Sequence, residues 1–287
     1  MSNSGEGLDQ QQPMNLHNKT DHAQLRKGFT LVLSGGAARG YAHVGVLSYL
    51  LERGLLPDEI IGTSMGALIG AACAVGLGPD EITNHIIKFS KLSRWLRPSL
   101  SHPALLDSHK LEKIFHGLFG EQGMEDSKIP LKIIATDFNN GQIRVFQAGD
   151  SVLIHQAVSC SMSIPVIFPP VPLENTAYVD GFLCANLPVQ QVSDPEKPII
   201  AVDVMSARAN GPYQPEHPSW LELPGEIIEM YERSFYLMVQ NQTRTACAQQ
   251  QNIISLQPEL AEFNLYDFDK VEPIIAKGYQ EAVAVLG

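Results

Sequence analysis

Phe29-Thr-Leu-Val-Leu-Ser34 is an apolar run with β-branched positions, cut off by glycines, which is the pattern of a strand buried on both faces. Gly35-Gly-Ala-Ala-Arg-Gly40 follows as a tight loop. The period then changes. Val44, Leu47 and Leu51, with Val46 and Leu50, recur at helical spacing from Tyr41 to Glu52, and Gly54 stops the helix. Glu59-Ile-Ile-Gly62 reads as a second strand, and Ser64 to Val75 as a small-residue helix ended by Gly76. Strand, glycine turn and helix, repeated twice, is the rhythm of an α/β sheet.

Downstream, residues 79–120 read as helical but irregular, Ile133–Ala135 and Gln142–Gln147 as strands, and Val152–Val158 as a helix. Four prolines between Ile164 and Pro172 argue against a regular element there. Tyr178–Gly181 reads as a strand end and turn, and Pro198–Val204 as a buried strand. Asn210–Pro218 is a loop, and two long helical patterns follow, from Glu226 to Gln249 and from Val271 to Val285. Residues 1–28, rich in Gln, Asn, Ser, Asp and His, are expected to form a flexible tail. Residues 29–287 are expected to form one domain, with no internal repeat.

A 44% hydrophobic content supports a sizeable core, and a net charge of -11 makes nucleic acid an unfavourable partner. No signal peptide is visible, and no run of about 18 apolar residues occurs to form a spanning helix. Cys73, Cys160, Cys184 and Cys247 form no CxxC pair and are expected to be buried free thiols, which suits a reducing cytoplasm.

The chemistry concentrates in Gly62-Thr-Ser64-Met-Gly66, a G-x-S-x-G placed between a strand and a helix. A serine at such a turn stands proud of the sheet, near the positive end of the following helix. Gly62 and Gly66 remove Cβ atoms that would crowd it. Gly35, Gly36, Ala37, Ala38, Arg39 and Gly40 lack the endings of a P-loop and the register of a dinucleotide loop. Their amides suit an acyl oxyanion instead, at roughly 3 to 4 kcal/mol per donor. Arg39 suits bracing the loop through carbonyls, or meeting a phosphate headgroup. For a base, His217 is the only histidine after Asp180, and it sits in a proline-rich loop. His43, His102 and His155 have no motif context. The residues favour a Ser–Asp dyad, which works better if burial raises the carboxylate's pKa.

Leu33-Ser-Gly-Gly-Ala-Ala-Arg-Gly-Tyr-Ala-His-Val-Gly-Val-Leu47 resembles the glycine-rich block of patatin-like phospholipases, and Gly62–Gly66 resembles their nucleophile elbow. Ser161-Met-Ser-Ile-Pro-Val-Ile-Phe-Pro-Pro170, Tyr178-Val-Asp-Gly181 and Asn186-Leu-Pro-Val189 look like their later blocks. The closest likeness is to the bacterial branch similar to neuropathy-target-esterase-type lysophospholipases. The resemblance implies a three-layer α/β/α sandwich with a mostly parallel sheet. It also implies Ser64 as nucleophile, Asp180 as the dyad acid, an oxyanion block at residues 35–40, and hydrolysis of fatty acyl esters of phospholipids or lysophospholipids without metal or cofactor. Two positions depart from the pattern: Ala37 stands where a third glycine is common, and Phe182 follows Asp180-Gly181. Phe182 fits core filling or an acyl channel. An acyltransferase on the same dyad, or a catalytically silent lipid-binding module, are the alternatives.

Phe89-Ser-Lys-Leu-Ser-Arg-Trp-Leu-Arg97 adds one surface feature. Ile82, Ile86, Phe89 and Leu96 share one side of a helix, and Lys88, Lys91, Arg94 and Arg97 recur every three residues. Residues 88–97 suit either peripheral contact with an anionic membrane or the solvated face of a cap helix.

Overall fold

A computed structural model describes residues 22–93, 108–165, 167–205 and 223–287. In chain order the elements are α1 (His22–Leu25), β1 (Thr30–Leu33), α2 (Ala42–Glu52), β2 (Glu59–Thr63), α3 (Met65–Ala74), α4 (Pro79–Ser93), α5 (Ser108–Phe119), β3 (Leu131–Asp137), β4 (Ile143–Phe146), α6 (Ile154–Ser161), β5 (Val171–Leu173), β6 (Thr176–Asp180), α7 (Phe182–Ala185), β7 (Ile199–Val202), α8 (Leu223–Cys247), β8 (Ile253–Leu256) and α9 (Val271–Leu286).

The strands form one eight-stranded sheet. β3, β2, β1, β7 and β8 lie side by side in parallel. β4 and β6 pair antiparallel with β3, and β5 pairs antiparallel with β6. Successive residues of the parallel strands point to opposite faces. Leu31, Leu33, Ile60, Ile133, Ile200 and Val202 join a large core with α2, α3, α4, α5, α6 and α9. Val32, Ile61, Ile134, Ile199 and Ala201 join a second core with Ala246 of α8 and Ala185 of α7. Helices therefore cover both faces, which is the expected three-layer α/β/α sandwich.

Several local expectations change. Residues 22–28, placed by composition in the tail, include the α1 turn with Leu25 buried, and Phe29 is fully enclosed. The proline-rich stretch ends in a strand after all: Pro172 sits inside β5, an edge strand, where its missing N–H costs no ladder bond. β8 and the short α7 had no sequence signal strong enough to separate them from loops. Of the four free cysteines, Cys73 and Cys160 are buried as expected, whereas Cys184 and Cys247 are only partly so. Ile82, Ile86 and Phe89 are buried on one side of α4, but Arg94, Trp95, Leu96 and Arg97 lie outside the described residues, as do His102 and His217. Among the described residues no helix is long and apolar enough to cross a membrane.

One edge of β3 positions the candidate site. β4 occupies the other edge, opposite Ile133 to Thr136. β2 takes the near edge as far as Thr63 opposite Ile134, and β6 takes up the same edge with Asp180 opposite Ala135. Ile134 and Ala135 are consecutive, about 3.3 Å apart along the strand. The end of β2, where Ser64 follows, therefore meets the end of β6, which is Asp180.

Candidate active site

Ser64 caps α3 with φ 54° and ψ −122°, a left-handed backbone that a side chain rarely adopts and that costs of the order of 1–3 kcal/mol. The neighbouring glycines make the turn possible. A Cβ on Gly62 would lie 2.5 Å from Gly66 O, and one on Gly66 would lie 2.5 Å from Leu33 O. Helix and strand therefore approach more closely than any other residue would allow. The strain is held by a buried hydroxyl from another helix. Ser161 Oγ accepts the Ser64 N–H at 2.8 Å and donates to Ile134 O at 2.6 Å.

Asp180 is fully buried. Its N–H donates to Ser163 O at 2.9 Å, and its carbonyl accepts from Thr136 Oγ1 at 3.0 Å. The carboxyl's Oδ1 accepts the Phe182 N–H at 3.0 Å, while Oδ2 has no hydrogen-bond partner among the described residues. Burial pushes the carboxyl up to about 7, and the Ser64 hydroxyl and the Phe182 N–H offset only part of this. The Ser64 hydroxyl thus lies close enough to the carboxyl to act on its pKa.

The glycine-rich loop lies against this pair. A Cβ on Gly35 would stand 3.2 Å from Ser64 Cβ, and one on Gly40 would stand 2.5 Å from Met65 Cγ. At least three of the six backbone amides expected to face an oxyanion are already committed. Gly35 N–H donates to Asn186 O, Ala38 N–H to Leu265 O and Arg39 N–H to Gly36 O. Gly36 and Ala37 lie between Gly35 and Ala38, Gly36 as the cap and Ala37 as the first residue of the 3-10 turn at Ala37–Tyr41. Among the described residues no carbonyl takes their N–H groups. Ala37 has φ 45°, so the position where a third glycine is common does need a left-handed residue, and alanine accepts the strain.

Arg39 is buried, and its Nε and Nη2 both donate to Phe263 O, at 2.9 and 2.7 Å. Its guanidinium lies 5.6 Å from the Tyr236 ring centre. That is the bracing role, between loop and C-terminal segment. His43 is buried nearby, and its Nε2 bonds Ser34 O at 2.8 Å. Burial lowers its pKa to about 4, so it is neutral and structural. No histidine nitrogen bonds Ser64 or Asp180 among the described residues. Phe182 is half-buried and packs edge-on to Phe235 at 4.8 Å, in a small cluster with Met205, Tyr236 and Val239.

Two positioning residues, Ser161 and Asn186, had no assigned role in the sequence beyond the blocks that contain them. Asn186 takes the Gly35 N–H on its carbonyl, and its own N–H donates to Gln242 Oε1 at 2.8 Å. Replacing Ser161 by alanine strands both the Ser64 N–H and Ile134 O. Stability is expected to fall by about 1–3 kcal/mol. The loosened elbow is expected to lower kcat by about 100-fold, with KM little changed. Steady-state kinetics and chemical denaturation of Ser161→Ala check this, and an unchanged kcat would remove the residue from the site.

A cavity of about 300 Å³ lies between α3, α4 and α5, lined by Leu68, Ala72, Ile86, Phe89, Phe115 and Leu118 among others. Neither Ser64 nor Asp180 lines it. It begins at Leu68, one helical turn, about 6 Å, beyond the serine.

Known proteins share sequence and fold with this chain. A family model described as patatin-like phospholipase matches residues 31–193. An NTE family protein of Mycobacterium tuberculosis is 31% identical over 192 residues, covering 66% of this chain and 52% of that protein. Lysophospholipase NTE1 of Scheffersomyces stipitis is 32% identical over 183 residues, covering 62% of this chain and 12% of that protein. The chain thus spans about half the length of the mycobacterial relative and far less of the other. Among solved structures, VipD from Legionella pneumophila superposes with a TM-score of 0.50 at 14% identity, over 93% of this chain and 69% of that one. At that identity the likeness concerns the fold alone.

Proposed function

This chain belongs to the patatin-like phospholipase family, and we propose that it is a serine acyl-hydrolase acting on fatty acyl esters of phospholipids or lysophospholipids. What carries the reading is one arrangement. A buried carboxyl, pushed up to about 7, shares a strand edge with a serine on a strained turn at a helix start. A base with that pKa is matched to neutral pH.

In this reading Asp180 Oδ2 takes the proton of Ser64 as Oγ attacks the ester carbonyl carbon. The carbonyl electron pair moves onto oxygen, where the amides of Gly36 and Ala37 hold it. Collapse of the intermediate breaks the ester bond, and the departing alkoxide takes the proton back from Asp180. Water then gives a proton to Asp180 and attacks the acyl-serine, and the fatty acid leaves as Ser64 recovers its proton. Loop, helix dipole and carboxylate suffice for every step, so the reading assigns no metal or cofactor.

The cavity beside α3 suits an acyl chain. Leu68 and Ala72 share one face of α3, the helix that Ser64 caps, and line the cavity, so in this reading a chain esterified at the serine runs along them. The monoacyl preference rests on the lysophospholipase named among the relatives. Contact with an anionic lipid surface through residues 88–97 belongs to the same proposal.

The test is acyl release from a monoacyl glycerophospholipid and from a short-chain p-nitrophenyl ester, with a fluorophosphonate label mapped by mass. Free fatty acid and a label on Ser64 are expected. With added alcohol as acceptor, ester formed in preference to free acid would make the protein a transferase. No turnover and no label would leave a lipid-binding module.

A further inference from the structure

Away from the dyad, His116, Glu121 and His155 offer ligand atoms that all lie within 4.8 Å of one another. His116 is near the end of α5, Glu121 just beyond it, and His155 at the start of α6. His116 Nε2 lies 2.7 Å from Glu121 Oε1, and the two imidazoles meet edge to face at 5.1 Å between centroids. His155 is 5% exposed, and its Nδ1 is enclosed with no hydrogen-bond partner among the described residues. Buried ring nitrogens are rarely left without a partner in folded proteins, and a metal ion is one partner that satisfies them. Glu112, one turn before His116 on the same helix, acts electrostatically on His155 and adds negative charge to the same gap.

We propose that His116, Glu121 and His155 form a binding site for a divalent transition-metal ion of the zinc type. Two imidazole nitrogens and one carboxylate oxygen suit Zn²⁺, whereas Ca²⁺ and Mg²⁺ take oxygen ligands throughout. Bonds of about 2.0–2.2 Å place tetrahedral ligands about 3.3 Å apart. His116 and Glu121, 2.7 Å apart, must therefore open slightly, and the wider separations, up to 4.8 Å, must close by the order of 1 Å. Side chains 51% and 76% exposed, on His116 and Glu121, are free to supply that movement.

The placement gives the ion a structural task. α5 lines the cavity beside α3, and α6 ends at Ser161, which holds the Ser64 N–H. An ion bridging α5 to α6 ties the cavity wall to the helix that steadies the elbow. This site is independent of the acyl chemistry and takes no part in it. It also departs from the sequence expectation of no metal, because the ligands come from two helix ends that share no motif.

The test uses the 287-residue chain, stripped of metal and titrated with Zn²⁺ by calorimetry and with Co²⁺ by absorption. One ion per chain is expected, with a thermal midpoint that rises with Zn²⁺ concentration. The Co²⁺ spectrum should lack a thiolate charge-transfer band, which separates this site from the four cysteines. His116→Gln and Glu121→Gln are surface changes that leave the fold intact, and each should weaken binding at least about 10-fold. Three results overturn the site: no saturable binding, binding unchanged in both variants, or a thiolate band.

Discussion

Ser64→Ala and Asp180→Asn should each lose at least about 10⁴-fold in ester turnover while remaining folded. The two losses have different origins. Alanine removes the atom that forms the acyl bond. Asparagine keeps the shape, and its Oδ1 keeps the Phe182 N–H contact, but it cannot accept the serine proton. Groups that act in one step do not add, so the double variant should be no worse than the poorer single one. Kinetics on the p-nitrophenyl ester and on a lysophospholipid, each paired with a circular-dichroism melt, give the answer. If Asp180→Asn kept its rate, the base would have to be another group, and His217 would be the next to replace.

The same carboxyl predicts a pH effect of opposite sign on stability and on rate. Unfolded, Asp180 releases its proton near 3.8, and folded it does so at about 7. Between these values the native state holds a proton that the unfolded state has lost, so stability falls as pH rises through that window and levels off above 7. The cost of the buried carboxylate above pH 7 is about 4 kcal/mol. Asp203, raised by burial to about 6, acts in the same direction, so the wild-type curve alone does not isolate Asp180. The difference from Asp180→Asn does. That variant should match wild type near pH 4 and exceed its stability by a few kcal/mol at pH 8, although it is inactive. The rate of the wild type runs the other way: kcat/KM should rise with pH through about 7, as the base ionises. Urea denaturation at pH 4.5, 6 and 8 decides the first part. Equal stabilities of the two proteins at pH 8 would mean that Asp180 is not held out of water as the structure has it.

Much of the fold was legible because its signals are local. β1, α2, β2 and α3 declare themselves through a change of hydrophobic period at each glycine turn, and their observed bounds depart from the sequence reading by at most a residue or so. β5, α7 and β8 did not, because three or four residues without a run of buried apolar positions, such as β1 has, are placed by their partners and not by their own pattern. Pro172 is tolerated only because β5 is an edge, and the sequence of β5 cannot say that it is one.

The amino-acid sequence by itself determined the serine, the glycines that let its turn close, and the block structure that pointed to Asp180, since these are requirements of residue type at fixed spacing. Only the tertiary structure decided that β6 takes over the edge of β3 where β2 leaves it, bringing Asp180 to Ser64 from a distant part of the chain. It decided which amides of the glycine loop are spent on Asn186, Gly36 and Leu265, that Ser161 steadies the elbow, and that His155 meets His116. It also set the carboxyl's pKa. Burial and hydrogen-bond partnership are shared between segments far apart in the chain, and a pKa follows from both, so none of them is a property of any local stretch of sequence.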